Sequence, residues 1–197
     1  MASQNSQSSS SLNENDIRNT SASSSLDSVL FKHDRLYGHG IVRINYTTYD
    51  VRRSQDIVKA WPAQCNVMVL ADRDESQSSG SHHPFNYARV LGIFHVNVVI
   101  VGPGMVNYQP QRMDFLWVRW YREVETIQAG WDTQKLDCIQ FPPVGDEDAF
   151  GFIDPVDVLR GCHIIPAFSK GGRYLDGRGL SRLGRDASDW TAYYVNR

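Results

Sequence analysis

The sequence predicts an all-β fold with very little helix. Short runs of β-branched and aromatic residues recur along the chain, and clusters containing Gly, Pro, Asn or Asp separate them. No stretch keeps the 3.6-residue hydrophobic period of an amphipathic helix, and the chain contains no internal repeat. Many short strands with such punctuation are typical of a β-barrel or a β-sandwich. We predict a small barrel with one short helix.

The first half of the chain supplies four predicted strands. Residues 29–37 form a mixed segment that ends in the turn Gly38-His39-Gly40, and residues 51–60 fit more than one structure. A polar loop is predicted at residues 72–83, and Gly102-Pro103-Gly104 ends the last of these strands. The predicted strands are residues 41–49, 66–71, 86–94 and 96–101.

Residues 113–122 form the clearest predicted strand. Leu116, Val118 and Trp120 alternate on one face, which we expect to point into the core. The opposite face carries aromatic and Arg side chains, namely Phe115, Trp117, Arg119 and Tyr121. A strand with aromatic residues on both faces is either buried on both sides or exposed for binding on one of them.

The second half of the chain adds shorter strands and the predicted helix. Asp154 is a typical N-cap, Pro155 suits the first helical position, and Gly161 is a stop signal, so we predict a helix at residues 155–160. Pro166 predicts that residues 162–168 form an edge strand. Further extended segments are predicted at residues 136–141, 148–153 and 190–195, with a Gly- and Arg-rich loop at 169–189.

Composition divides the chain after residue 28. Residues 1–28 contain eleven Ser and no aromatic residue, Gly or Pro, which predicts a disordered tail. Residues 29–197 are enough for a single domain with its own core. The three Cys residues are scattered, no signal peptide precedes them, and no apolar run reaches membrane-spanning length. We therefore expect an intracellular protein that lacks a disulfide framework and does not associate with membranes.

Charge is balanced overall but unevenly distributed. In residues 29–197 the 19 basic and 19 acidic side chains cancel, which argues against a globally basic nucleic-acid-binding protein. Residues 132–157 nevertheless hold seven acids and one base, whereas residues 160–185 hold six bases and one acid. This asymmetry predicts either electrostatic orientation of a partner or pairing between the two segments.

Two strand-like motifs resemble the bromo-adjacent homology (BAH) family of chromatin modules. They are YARVLGIF at residues 87–94 and LWVRWYR at residues 116–122. DPVDVLRGCHIIP at residues 154–166 is similar to the later helix-then-strand piece of that family. The resemblance implies a BAH/SH3-like β-barrel that binds chromatin or protein peptides in the nucleus.

Longer phrases resemble the C-terminal β domain of Plavaka-type transposase-related proteins of mushroom-forming fungi. These phrases are NYTTYDVRRSQD (45–56), YARVLGIFHVNV (87–98), PQRMDFLWVRWY (110–121), DAFGFIDPVDVLRGCHIIPAF (148–168) and DWTAYYVNR (189–197). The resemblance implies derivation from, or association with, a mobile element. The sequence holds no transposase nuclease domain, so it gives no reason to expect a transposition reaction.

An aromatic face is the first candidate binding site. Phe115, Trp117 and Tyr121, joined by Tyr87, can present rings to a methylated lysine or another cation. Each such face contributes about 0.5–2 kcal/mol. The alternative is that these rings are ordinary core filling. The partner that this site predicts is a protein segment or a chromatin peptide.

A basic loop is the second candidate site, and self-association is the third hypothesis. Five basic side chains of the loop are candidates for weak, salt-dependent phosphate contacts, unless the loop is simply solvated. In a self-associating protein, Trp117 and Tyr121 would instead bury against a second copy, although the sequence does not fix an oligomeric state. The five basic residues are Lys170, Arg173, Arg178, Arg182 and Arg185.

Metal-binding and catalytic patterns are absent from the sequence. The pair His82-His83, the residues His95 and His163, and the Cys residues do not show zinc-ligand spacing. The sequence also lacks a nucleophile elbow, a zinc-protease helix motif and a phosphate-binding loop. We therefore expect a non-catalytic interaction module of BAH type, with no metal and no cofactor.

Overall fold

The computed structural model describes residues 29–48, 50–60, 64–71, 84–101, 108–124 and 136–196. The predicted disordered tail at residues 1–28, the predicted loop at 72–83 and the predicted turn at 102–104 lie outside these ranges. Within the ranges, β-strands predominate, three short 3₁₀ turns occur and no α-helix is present. The predicted all-β class is confirmed. No helix in this part of the chain is long and apolar enough to cross a membrane.

Twelve strands are assigned in the described residues. The first six are β1 (Val29–His39), β2 (Ile41–Thr47), β3 (Arg53–Lys59), β4 (Asn66–Leu70), β5 (Phe85–Ile100) and β6 (Gln111–Trp120). The others are β7 (Arg122–Glu123), β8 (Cys138–Gln140), β9 (Phe150–Ile153), β10 (Val158–Gly161), β11 (His163–Pro166) and β12 (Tyr193–Asn196). The 3₁₀ turns are Pro155–Asp157, Phe168–Lys170 and Asp186–Ser188.

The strands form three sheets. A six-stranded sheet has the order β10-β4-β5-β6-β9, with β1 also paired to β5. A four-stranded sheet has the order β11-β12-β8-β7, and β2 pairs with β3 in a hairpin. β11 is therefore an edge strand, as Pro166 predicts. The pairing among the described strands does not close any sheet into a cylinder, so the barrel stays a prediction.

Local structure departs from the sequence predictions at three places. Residues 29–39 form β1 rather than a mixed segment ending in a turn, and the two strands predicted at 86–94 and 96–101 are one strand, β5. The predicted helix at 155–160 is wrong beyond its first turn. Asp154 caps that turn, accepting a hydrogen bond of 2.9 Å from the Val156 amide, but Val158 then pairs with Val69 of β4. Sheet pairing thus overrides the local helix signals.

The chain divides into two compact units. The first contains residues 1–35 and 96–113, and its described part comprises the start of β1, the end of β5 and the start of β6. Val96 and Val98 of this unit are buried. The second contains residues 36–95 and 114–197 and holds all the other strands. The single domain expected for residues 29–197 stays a prediction.

The second unit has an apolar cluster on one face of β4, β5 and β6, which we term the first core. Residues of the β2–β3 hairpin, among them Ile44 and Val58, belong to the same cluster. Leu116 and Val118 are fully buried here and Trp120 packs against them, so the predicted inward face of this strand is confirmed. The members at 0% exposure are Val67, Ala88, Val90, Leu116 and Val118.

A second core lies on the opposite face of β4 and β5. Met68 and Tyr87, which alternate with first-core residues along their strands, pack here with side chains of β8, β11 and β12. β4 therefore reads as a continuous apolar run, as expected for a strand covered on both faces. The alternation fails in β5, where Ile93 packs with Ala88 and Val90 in the first core. Two residues an odd number apart share a face only where a strand has an irregularity.

Candidate functional site

The structure separates the four predicted aromatic residues. Phe115 and Trp117 are half-buried, whereas Tyr87 and Tyr121 are buried in the second core at 3% and 7% exposure. Tyr121 stacks on Phe141 with ring centroids 4.0 Å apart. For Tyr87 and Tyr121 the core-filling alternative therefore holds, because side chains of the four-stranded sheet cover both rings.

Phe115 and Trp117 belong to a different aromatic group, formed across three strands. Strand register places Trp117 opposite Phe152 of β9, on the face away from Leu116. Phe115 contacts Phe152 edge-on at 5.5 Å, and Phe94 of β5 at 5.7 Å. Phe152 is 70% exposed. The predicted aromatic face therefore continues onto β9 through Phe152, which no sequence pattern singled out.

A cleft of about 530 Å³ lies beside this group, where β9 leads into the first 3₁₀ turn. Apolar side chains and two carboxylates line it together. Leu70, Trp120, Phe152 and Val156 are on the apolar side, and Asp154 and Asp157 are the acids. Leu70, Phe152 and Val156 are exposed by 63%, 70% and 88%. Exposed apolar groups beside converging polar groups are typical of a ligand site.

The two carboxylates of the cleft, those of Asp154 and Asp157, have no basic partner in the part of the chain that the structure describes. Asp154 accepts the Val156 amide through Oδ1, and both residues are exposed. The neighbouring acids Asp146 and Asp148 differ, because Arg122 pairs with both at 3.0 and 2.6 Å. The cleft therefore offers negative charge to a cation.

The basic loop is only partly available to a phosphate. Arg173 donates a 2.8 Å hydrogen bond to the Phe141 carbonyl, and Arg185 donates to the Ala60 carbonyl at 2.5 Å. Both are half-buried, whereas the other three basic residues, Lys170, Arg178 and Arg182, are exposed. Lys170 is exposed but contacts the Cys138 thiol at 3.6 Å, so three of the five predicted phosphate contacts make hydrogen bonds within the protein.

A buried charge cluster, which the sequence did not reveal, lies in the second unit beside Phe141. Asp189 pairs with Arg89 at 2.7 Å and with Arg119 at 2.5 Å, and all three side chains are nearly or fully buried. The two guanidinium groups lie over the Phe141 ring at 4.3 and 4.0 Å from its centroid. Burial alone would lower the pKa of Arg89, but Tyr121 and Asp189 raise it. We assign this cluster a structural role, because its three side chains are almost entirely buried.

Two of the three thiols, those of Cys65 and Cys162, are weakly reactive. Burial raises the pKa of Cys65, and it raises that of Cys162 to about 12. Since the thiolate is the reactive form of cysteine, both side chains are protonated and weakly nucleophilic at neutral pH.

The structure also assembles one group of side chains with metal-ligand chemistry in the described ranges. His39, His95 and Asp114 bring one donor atom each to within 4.8 Å of one another. Sequence spacing missed this group, because the three residues come from strands far apart in the chain. Of the histidines weighed in the sequence, only His95 belongs to it.

Comparisons with protein-family models, with curated proteins and with solved structures give no match to this chain. The resemblances to BAH modules and to Plavaka-related proteins stay predictions.

Proposed function

We propose that this chain is a non-catalytic interaction module that binds a lysine-containing segment of another protein in the cleft. One observation carries the proposal: the unpaired carboxylates of Asp154 and Asp157 lie in the same cleft as Trp120 and Phe152. Aromatic faces attract ammonium groups by about 0.5–2 kcal/mol each, and most strongly where the cation is desolvated. Carboxylates add Coulomb attraction. An apolar wall beside them suits the aliphatic stem of lysine, free or methylated.

The acidic stretch of the sequence supports a basic partner. Five of the seven acids of the predicted acidic segment lie between residues 146 and 157; Arg122 pairs with Asp146 and Asp148, and the two acids in the cleft end this run. Such a local negative field accelerates the encounter with a basic segment and makes it salt-dependent. Phe115, through its contact with Phe152, extends the apolar surface on which residues flanking the lysine can lie.

The finer assignment is also a proposal: a BAH/SH3-like barrel, derived from a fungal mobile element and acting on chromatin in the nucleus. The motifs that resemble BAH modules lie on β5, on β6 and β7, and on the segment from the first 3₁₀ turn to β11. Peptide recognition in the cleft is compatible with that family and does not depend on it.

Two alternatives come from different classes. Nucleic-acid binding would use the exposed Lys170, Arg178 and Arg182, and it is weakened by the structural hydrogen bonds of Arg173 and Arg185. Self-association through Trp117 and Tyr121 is weakened because Tyr121 is already buried in the second core. Neither of these observations weakens the proposal that the cleft binds a lysine-containing segment.

Fluorescence polarisation with two labelled peptides tests the proposal. Both peptides have one lysine-containing sequence, and one of them is trimethylated on lysine. We expect the full chain to bind at least one peptide, with affinity falling as salt rises. Phe152→Ala and Asp157→Asn should each weaken binding by roughly 2- to 30-fold, the equivalent of one cation–π or exposed charge contact.

Matched controls come from residues that do not line the cleft. Phe168→Ala removes another exposed ring, at 66% exposure, and Asp176→Asn removes another exposed acid. Both should bind as the parent does. Equal binding by all four variants, or none by the parent, contradicts the proposal. A duplex-DNA gel shift that Arg178→Ala with Arg182→Ala abolishes, or a mass that rises with concentration in light scattering, would support the respective alternative instead.

A further inference from the structure

Three neighbouring strands each contribute one metal-ligand side chain at the same level of the six-stranded sheet. His39 comes from the end of β1, His95 from β5 and Asp114 from β6, and β5 pairs with both of the other strands. One ring or carboxylate atom of each residue lies within 4.8 Å of the others. The Nε2 atom of His39 lies 2.6 Å from the Nδ1 atom of His95. The donor atoms of the three side chains therefore converge.

The sheet and an aromatic neighbour fix the orientation of these donors. Asp114 has the strand parity of Leu116, and His95 that of Ile93, so both belong to the face that carries the first core. Tyr37, two residues before His39 on β1, stacks on the His95 ring with centroids 4.6 Å apart and planes at 9°. Donors on paired strands are held more rigidly than donors on loops.

We propose that His39, His95 and Asp114 bind a divalent transition-metal ion of the zinc type. Two imidazoles and one carboxylate suit Zn²⁺, Co²⁺ or Ni²⁺ better than Ca²⁺ or Mg²⁺, which prefer oxygen ligands. Tetrahedral zinc has bonds of about 2.0–2.1 Å to nitrogen, which separates ligand atoms by roughly 3.3 Å. The two imidazole nitrogens need to move apart by less than about 1 Å to reach that spacing. His39 is exposed, which leaves room for that movement.

Binding requires a lone pair from each imidazole nitrogen that faces the ion. In the structure those nitrogens lie at hydrogen-bonding distance, so one of them carries the shared proton. On metal binding each ring carries its N–H on the other nitrogen, and the ion replaces that proton between the rings. Three protein ligands leave a fourth coordination position, which takes water or a small external donor such as imidazole or a carboxylate. None of the three residues lines the cleft, so the metal site does not depend on the function of the cleft.

Titration of the full chain, produced without a polyhistidine tag, tests the proposal. Zn²⁺ affinity is measured by competition with a chromophoric chelator, and Co²⁺ serves as the spectroscopic probe. We expect one tight ion per chain and the intense visible absorption of a four-coordinate Co²⁺ site, altered by added imidazole. Loss of a ligand in His39→Ala or Asp114→Asn should weaken binding more than tenfold, since even outer partners of a metal ligand contribute 10- to 100-fold.

His163→Ala is the matched control, because His163 is an exposed histidine on another strand. It should bind as the parent does, and circular dichroism should show each variant folded. Asp114→Asn keeps the size of the side chain, so it remains informative if His39→Ala does not fold. Absence of binding by the parent overturns the proposal. So does unchanged affinity in both ligand variants, or near-ultraviolet thiolate-to-Co²⁺ absorption that assigns the ion to cysteine.

Discussion

The first and second cores cover opposite faces of the same strands, yet they are built from different chemistry. The first core consists of apolar residues, from Ile44 on the hairpin to Val158 on β10. The second core packs Tyr87, Tyr121, Phe141 and Tyr193 around side chains that include the buried ion pairs of Asp189. Apolar burial contributes stability in proportion to area, whereas a buried charge cluster stabilises only when it is complete.

The charge cluster contains two cations and one anion, so its members contribute unequally to stability. Two guanidinium groups share the single carboxylate of Asp189, and the Nε and Nη2 atoms of Arg119 make no hydrogen bond within the described residues. The Phe141 ring offsets part of the excess positive charge, because both guanidinium groups lie over it. Removing the carboxylate therefore leaves two buried cations, whereas removing Arg119 leaves one matched pair.

The largest expected effect is that of Asp189→Asn. Two buried guanidinium groups would then lack a counter-charge, so we expect a loss of about 3–5 kcal/mol in the free energy of unfolding, measured in urea. The control is Asp50→Asn, which breaks the exposed pair with Arg52 at 2.9 Å. Exposed pairs contribute about 0–1 kcal/mol. Similar losses in the two variants would mean that burial does not govern the cluster.

Leu116→Ala probes the first core. Leu116 is fully buried there, and truncation removes apolar contacts and leaves a cavity, so unfolding should become easier by about 2–5 kcal/mol. Leu175→Ala is the matched control, because Leu175 is 96% exposed and should change the free energy of unfolding by less than about 0.5 kcal/mol. A loss near zero for Leu116→Ala would show that this face is loosely packed.

Asp186→Asn tests a buried carboxylate that is held by neutral donors rather than by cations. Asp186 accepts the amides of Leu180 and Ser181 at 2.8 and 2.9 Å. Burial alone would raise the pKa of Asp186, but these amides lower it from its ordinary 3.8. Its stabilisation is therefore complete above about pH 4 and is lost as pH falls through the depressed pKa.

Asp186→Asn should accordingly lower stability at neutral pH by about 1 kcal/mol, since the amide still accepts one hydrogen bond. It should also flatten the fall in stability below about pH 4, because the substituted group no longer takes up a proton there. Urea unfolding from pH 2 to pH 7 measures both effects. If the free energy of unfolding of the variant falls at low pH as steeply as that of the parent, Asp186 is not the source of that fall.

Arg119→Met gives the sharpest comparison, because its expected effect is centred on zero. Methionine fills similar space and leaves Asp189 paired with Arg89, so the free energy of unfolding should change by less than about 1.5 kcal/mol in either direction. The variant is measured beside Asp189→Asn in urea. A loss for Arg119→Met that equals the loss for Asp189→Asn would show that the pair with Arg119, rather than charge balance, stabilises this face.

Local sequence patterns predicted most strands but not their partners. Residues 113–122 were predicted as a strand with Leu116, Val118 and Trp120 facing the core, and the structure confirms that face. The same alternation could not decide whether Tyr121 meets solvent or protein. That depends on β8 and β12, which are distant in sequence and pack there. The helix signals at residues 154–161 were overridden for a similar reason, because β4 offered a pairing partner.

The candidate sites show the same limit. The acidic run containing Asp154 and Asp157 was visible in the sequence, but the proximity of Trp120 and Phe152 to these acids depends on where β9 ends. No spacing rule connects His39, His95 and Asp114, because strand pairing brings together residues 56 and 19 positions apart.

By itself, the sequence determined the all-β class, the positions of most strands and the inward face of β6, because side-chain alternation and turn chemistry act over a few residues. Tertiary structure decided that Arg89 and Arg119 are buried around Asp189, that Tyr121 is covered, and which carboxylates remain unpaired. Burial and charge pairing depend on which layer covers each face. The covering layer comes from segments far apart in the chain, and local side-chain periodicity carries no information about which segment that is.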